Sequence, residues 1–130
     1  MKHGILVVED NQLNRELLCD WLEVEGYEVW STADLKASYD VLATRLPDAV
    51  LLDINLGAED GLDLVAWMRQ KPRLGEIPVI AVTAHALVTE QERILQAGCR
   101  ACLSKPINFD GLRAQLIHWL QERSMSRPNS

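Results

Sequence analysis

The sequence predicts an α/β protein, a parallel five-stranded sheet with helices on both faces. Three observations predict it. Short apolar runs recur five times, segments with apolar residues at helical spacing fill the intervals, and Gly or Pro marks several seams. Strand–helix alternation of this kind implies crossover connections, hence parallel strands covered on both sides. At 130 residues the chain forms one domain with a core large enough to need no staple.

"GILVV" at 4–8 is a continuous apolar run, as in a strand buried on both faces. From Leu13 the period becomes helical: Leu13, Leu17, Trp21 and Val24 share a face, closed by Gly26. Asn14, Arg15, Leu18 and Leu22 then fall on the less buried side, unless the helix turns Leu18 and Leu22 into the core. "YEVWS" at 27–31 alternates like an edge strand, and Leu35, Tyr39, Leu42 and Leu46 make a second helical stripe ended by Pro47. "DAVLLD" at 48–53 is the next buried strand, followed by a Gly-containing loop and a helix over about 61–70 with Leu64, Val65 and Met68 inward. "IPVIAVTA" at 77–84 is the fourth strand, a helix over about 88–97 ends at Gly98, and "ACLS" at 101–104 is the fifth. Phe109, Leu112, Leu116 and Leu120 line the last helix, with Trp119 on the flank of that stripe and better suited to packing than to exposure. The domain therefore spans 1–122, and 123–130 reads as a polar, flexible tail.

Composition excludes several functions. Nineteen acids against 13 Lys and Arg give a formal charge of −6, and no basic cluster overrides it, so direct nucleic-acid binding is not expected. No apolar stretch approaches the roughly 20 residues of a membrane span, and "MKHGILVVED" turns acidic too early for a signal peptide; a cytoplasmic protein is expected. Cys99 and Cys102 form a C-x-x-C, but redox pairs of that form open a helix, where the dipole lowers a thiol pKa; this one enters a strand, which predicts buried, reduced thiols. Zinc would need a second ligand pair. There is no phosphate-binding Gly loop and no nucleophile elbow, and His3, His85 and His118 have no ligand spacing.

An open parallel sheet binds ligands beyond the carboxyl ends of its strands. Glu9 and Asp10 follow the first strand, Asp53 ends the third, Thr83 the fourth, and Lys105 follows the fifth. Three carboxylates on one rim would repel one another unless a cation sat among them, and hard oxygen ligands without His or Cys suit Mg²⁺ (or Mn²⁺). Such an ion could neutralise a phosphoryl group arriving at a carboxylate, with Lys105 and Thr83 as further contacts to its oxygens.

The chain resembles the receiver (response-regulator) domain of two-component signalling over roughly residues 3–122. The resemblance rests on "ILVVEDN", "PDAVLLDINL" ending its strand on Asp53, "DG" at 60–61, "IPVIAVTA" with Thr83-Ala84, and "AGC…LSKPI" with Lys105-Pro106, in that order and spacing. The wording "VVEDNQLNRELL" most resembles stand-alone receivers and those attached to hybrid histidine kinases. The resemblance implies a flavodoxin-like doubly wound (βα)5 fold with strand order 2-1-3-4-5. It implies that Asp53 is the phosphoacceptor, attacking a phosphohistidine, and that Glu9, Asp10, Asp53 and the backbone carbonyl of Asn55 hold Mg²⁺. Thr83, the amide of Ala84 and Lys105 would bind phosphoryl oxygens, and a cis bond before Pro106 is expected on the same ground.

The sequence also departs from the family pattern. Cys102 stands where a Tyr or Phe usually reports phosphorylation, Gly57 replaces a usual Pro, and Lys36 and Tyr39 occupy positions that often hold a small residue. Asn55 and His85 flank the expected phosphoryl site, where they could control access of water, although His85 reads equally well as an exposed loop residue. The chain is thus expected to act as a switch rather than an enzyme in the strict sense, its phosphotransfer and dephosphorylation being self-catalysed. The expected partners are a histidine kinase or histidine phosphotransfer protein and an unidentified downstream protein, reached through the surface of the fourth and fifth helices and fifth strand around Cys102 and Trp119. A monomer or weak homodimer is expected. Two other readings stand beside the messenger: a phosphate sink in a relay, and a phosphorylation-independent adaptor, which would ordinarily have lost one of the acids or the lysine.

Overall fold

β1 (Gly4–Val8) leads into α1 (Gln12–Val24), whose first turn is capped by the Asn11 side chain accepting from the Asn14 amide at 3.0 Å. The computed structural model describes residues 2–85 and 87–126, the last four by backbone only. The elements that follow are β2 (Glu28–Thr32), α2 (Leu35–Thr44), β3 (Ala49–Asp53), a small antiparallel ladder of β4 (Asn55–Leu56) and β5 (Glu59–Asp60), α3 (Leu62–Arg69), β6 (Val79–Thr83), α4 (Val88–Ala97), β7 (Ala101–Ser104) and α5 (Phe109–Ser126). The main sheet has the order β2-β1-β3-β6-β7, all parallel. With the short ladder set aside this is the predicted order 2-1-3-4-5.

Alternation along the three central strands divides the core. Leu6, Val8, Val50, Leu52, Val79 and Ala81 point to one face and pack against α2, α3 and α4. Ile5, Val7, Ala49, Leu51, Ile80 and Val82 point to the other and pack against α1 and α5. Burial on both sides explains why these strands read as continuous apolar runs.

Five expectations need correction. α1 turns Leu18 and Leu22 into the core, while Leu13, Leu17 and Val24 are 74%, 55% and 84% exposed. The helix carries two neighbouring apolar stripes, and the one that meets the sheet is the one whose flank lets Trp21 stack on Phe109 of α5, ring centroids 5.0 Å apart. Burying Leu18 and Leu22 contributes about 1.5–3 kcal/mol each. α2 stops at Thr44, because Leu46, preceding Pro47, is disfavoured in helical conformation, and Leu46 lies exposed rather than on the inner stripe. β2 is shifted by one residue, so Thr32 is buried and shares a 2.7 Å hydrogen bond with Ser38 of α2. The loop after Asp53 is partly a ladder, turned at Gly57 with φ +61°. α5 runs to Ser126, past the boundary expected at 122, and residues 127–130 of the expected tail lie outside the described residues.

Candidate functional site

Because the strands are parallel, their carboxyl ends share one rim, and Glu9, Asp10, Asp53, Thr83 and Lys105 come together there as predicted. Asp53 ends β3 at 3% exposure and Glu9, just past β1, is equally buried, whereas Asp10 faces solvent. One carboxylate oxygen from each of the three lies within 4.8 Å of the others. Lys105 donates to Asp53 Oδ2 at 2.8 Å and approaches Glu9 Oε1 at 3.5 Å. The Lys105–Pro106 peptide is cis.

The electrostatics follow from that crowding. Burial raises the Glu9 pKa to about 7; the Asn11 amide pulls it down, and the hydrogen bond and charge of Asp53 push it up again. For Lys105 burial works downward, but the hydrogen bond and charge of Asp53, with Glu9 behind them, outweigh it and hold the ammonium above its ordinary range. Net negative charge in a buried site with all-oxygen donors fits a hard divalent cation. The donor set suits such an ion: carboxylate oxygens of Glu9, Asp10 and Asp53 converge, and burial disfavours the charged form of Glu9.

The backbone completes the site. The Asn55 amide donates to Asp53 Oδ1 at 3.0 Å, and the Asn11 amide to Glu9 Oε2 at 3.0 Å. Thr83, fully buried, accepts from the His85 amide at 3.1 Å, and the Ala84 amide donates to Asn55 Oδ1 at 3.5 Å. The side chain of His85 is exposed. For two residues of this layer sequence reading missed the contact. Arg15 donates to the Glu9 carbonyl at 2.9 Å, and Gly61 lies so close to the acceptor strand that a Cβ there would meet the Asp53 carbonyl oxygen at 2.6 Å. The "DG" at 60–61 was a signal for Gly61, though not for the reason of its contact.

Cys102 is half-buried against the α2–α4 core and Cys99 is buried; both are free thiols. Burial pushes Cys99 up to about 12 and Cys102 above its usual value, so neither has the thiolate character of a redox pair. Trp119 is half-buried, its indole donating to Gln115 at 2.9 Å with the Arg100 guanidinium 5.8 Å over the ring. Beside Glu9 and Lys105 opens a groove of about 430 Å³, walled by Asn14, Leu17, Pro106, Ile107 and Phe109.

Comparison with known proteins agrees with this geometry. The family model described as response regulator receiver domain matches residues 5–117. Over 108 residues the chain is 42% identical to the polar-differentiation response regulators DivK of Brucella anthropi and Brucella ovis, covering 83% of this chain and 88% of each relative. Among solved structures, the receiver domain of a sensor histidine kinase from Pseudomonas aeruginosa, described with a magnesium ion coordinated in its active site cleft, is 32% identical with TM-score 0.84, covering 93% of this chain and 99% of that one. A CheY-like receiver domain protein from Methanospirillum hungatei is 25% identical with TM-score 0.89, covering 98% and 100%. No helix among the described residues is long and apolar enough to cross a membrane.

Proposed function

Since the chain belongs to the response regulator receiver domain family, we propose that it is a phosphorylation switch whose acceptor is Asp53, charged by a phosphohistidine on a kinase or phosphotransfer protein. One observation carries the assignment: the Asp53 carboxylate is held buried between the Lys105 ammonium at 2.8 Å and the Asn55 amide at 3.0 Å, beside two further acids. In the step, an Asp53 oxygen attacks phosphorus, the P–N bond to the imidazole breaks, and the imidazole leaves with the electron pair and takes up a proton. The product is an acyl phosphate.

Glu9, Asp10, Asp53 and the Asn55 carbonyl would hold Mg²⁺ (or Mn²⁺). When bound, such an ion supplies charge neutralisation to the transferring group. The rest is the work of this chain. Lys105 provides a second positive charge. The Thr83 hydroxyl and Ala84 amide then turn to phosphoryl oxygens, which requires Ala84 to leave Asn55 Oδ1 and Thr83 to loosen from the His85 amide. That exchange couples the chemistry to the β6–α4 segment, the first part of a readout that lacks an aromatic at Cys102. Asn55 and exposed His85 flank the path of the water that later hydrolyses the acyl phosphate. Exposed Leu17 in the wall of the groove that includes Pro106 and Ile107, with exposed Leu13 one turn earlier on α1, supports docking of the phosphodonor over α1.

Incubation with Mg²⁺ and acetyl phosphate, read by intact mass, tests the assignment. Wild type should gain one phosphoryl group and Asp53→Asn none. An adduct that persists in Asp53→Asn, or no adduct from either a small donor or a phosphohistidine protein, overturns it. The lifetime of the adduct separates messenger from sink.

A further inference from the structure

Far from the acceptor, a second cavity of about 350 Å³ opens at the other edge of the sheet, between the end of α2 and the segment after α3. Residues 42–46 precede β3 and residues 71–74 precede β6, so this is the amino-terminal edge of the strands, opposite Asp53. In a chain of net charge −6, its lining holds three cations, Arg45, Lys71 and Arg73, and no acid. Among the described residues, none of the three is ion-paired with a carboxylate, although elsewhere in the protein Lys36, Arg93 and Arg113 are paired with acids.

A cation at the carboxyl end of a helix is ordinary, and that accounts for Arg45 at the end of α2 and, less directly, for Lys71 just past α3. It does not account for Arg73, four residues beyond α3. Two of the cations are also pre-positioned. The Arg45 guanidinium lies 5.5 Å over the Trp30 ring and the Lys71 ammonium 5.3 Å over Trp67. A guanidinium stacked on an indole keeps its in-plane N–H groups available for an oxyanion, and its rotamer entropy is already largely spent before a ligand arrives. Leu42 and exposed Leu46 give the same cavity an apolar wall.

We propose that this cavity is a second ligand site, taking a small organic polyanion of the diphosphate or dicarboxylate class, with Arg45, Lys71 and Arg73 binding its charges and Leu42 and Leu46 its apolar part. Its volume lies at the lower end of small-ligand sites, which favours a small molecule over an extended chain. The site is independent of the phosphorylation switch.

Titration of the ¹⁵N-labelled protein with inorganic pyrophosphate in metal-free buffer tests it, because the four indole N–H resonances report separately. The Trp30 and Trp67 signals and the amides of 42–46 and 71–74 should shift and saturate, while Trp21 and Trp119 stay in place. Arg73→Glu, an exposed charge reversal, should weaken binding at least about tenfold with the Trp21 and Trp119 signals unchanged, and added salt should weaken it further. Failure to saturate, shifts centred on Thr83 and Lys105, or unchanged affinity in Arg73→Glu would overturn the proposal. So would a glutamate-rich peptide that saturates these resonances where pyrophosphate does not, since the site would then belong to a protein partner.

Discussion

The Lys105 ammonium sits 2.8 Å from Asp53 and 3.5 Å from Glu9, one cation shared between two buried carboxylates, one at the end of β3 and one just past β1. Its position explains how two such acids can coexist before a metal ion or a phosphoryl group arrives. Replacing it with Ala leaves both uncompensated. Phosphorylation of Lys105→Ala from acetyl phosphate at saturating Mg²⁺ should slow by about 10²-fold, the scale of losing one preorganised charge contact. Stopped-flow or quenched-flow rates would show it.

Glu9 makes the metal-free protein pH-sensitive. Its folded-state pKa is raised from 4.5 to about 7, so between those values the folded form holds more protons than the unfolded form. Stability from this group is therefore fully present below about 4.5 and is lost as pH rises through about 7. Urea melts without metal should show a midpoint that falls across that window and then levels. Saturating Mg²⁺ should reverse the trend, because the ion favours ionised Glu9, and Glu9→Gln should flatten it.

Gly61 is required by space rather than by backbone conformation, since a Cβ there meets the Asp53 carbonyl at 2.6 Å and Ile54 Cα at 3.0 Å. Gly61→Ala must displace β3 or α3 at the acceptor. A loss of about 1–3 kcal/mol in chemical denaturation is expected, together with slower phosphorylation of the protein that remains folded. Unchanged kinetics would mean that the strand end tolerates the shift.

α4 is loosely attached: Ile94 is its one buried residue, and Arg93, paired within the helix to Glu90 at 2.9 Å, ties it to Asp60 at 3.1 Å. Arg93→Ala removes only a half-exposed pair, so global stability should change by no more than about 1 kcal/mol. Local opening is a different quantity. Amide exchange over 88–97 should quicken severalfold while the central strands remain as protected as in wild type.

Cys99, buried and pushed up to about 12, should resist alkylation in the native state and react only on unfolding, while half-buried Cys19 and Cys102 react slowly. Peptide mapping after brief iodoacetamide treatment would distinguish them.

Much of the site was legible because strand ends are local features. An apolar run that stops at Asp53 places a carboxylate at a sheet edge, and parallel topology then gathers Glu9, Asp10, Thr83 and Lys105 on the same side. What stayed hidden depends on residues distant in the chain. Nothing near Asn55 says that its side chain meets the Ala84 amide, 29 positions on. Nothing near Gly61 says which backbone lies against it.

The sequence by itself determined the alternation of elements, the parallel sheet, and which residues stand at the strand ends, because periodicity and apolar runs are written within ten or so consecutive residues. Only the tertiary structure decided that α1 packs through Leu18 and Leu22 and leaves Leu13 and Leu17 exposed, Leu17 in the wall of the groove. It likewise decided that burial raises the Glu9 pKa to about 7 and that Arg45, Lys71 and Arg73 line one cavity at the far edge of the sheet. The physical reason is the same in each case. Spacing tells which side chains share a face, but burial and charge depend on what a neighbour from elsewhere in the chain brings against that face.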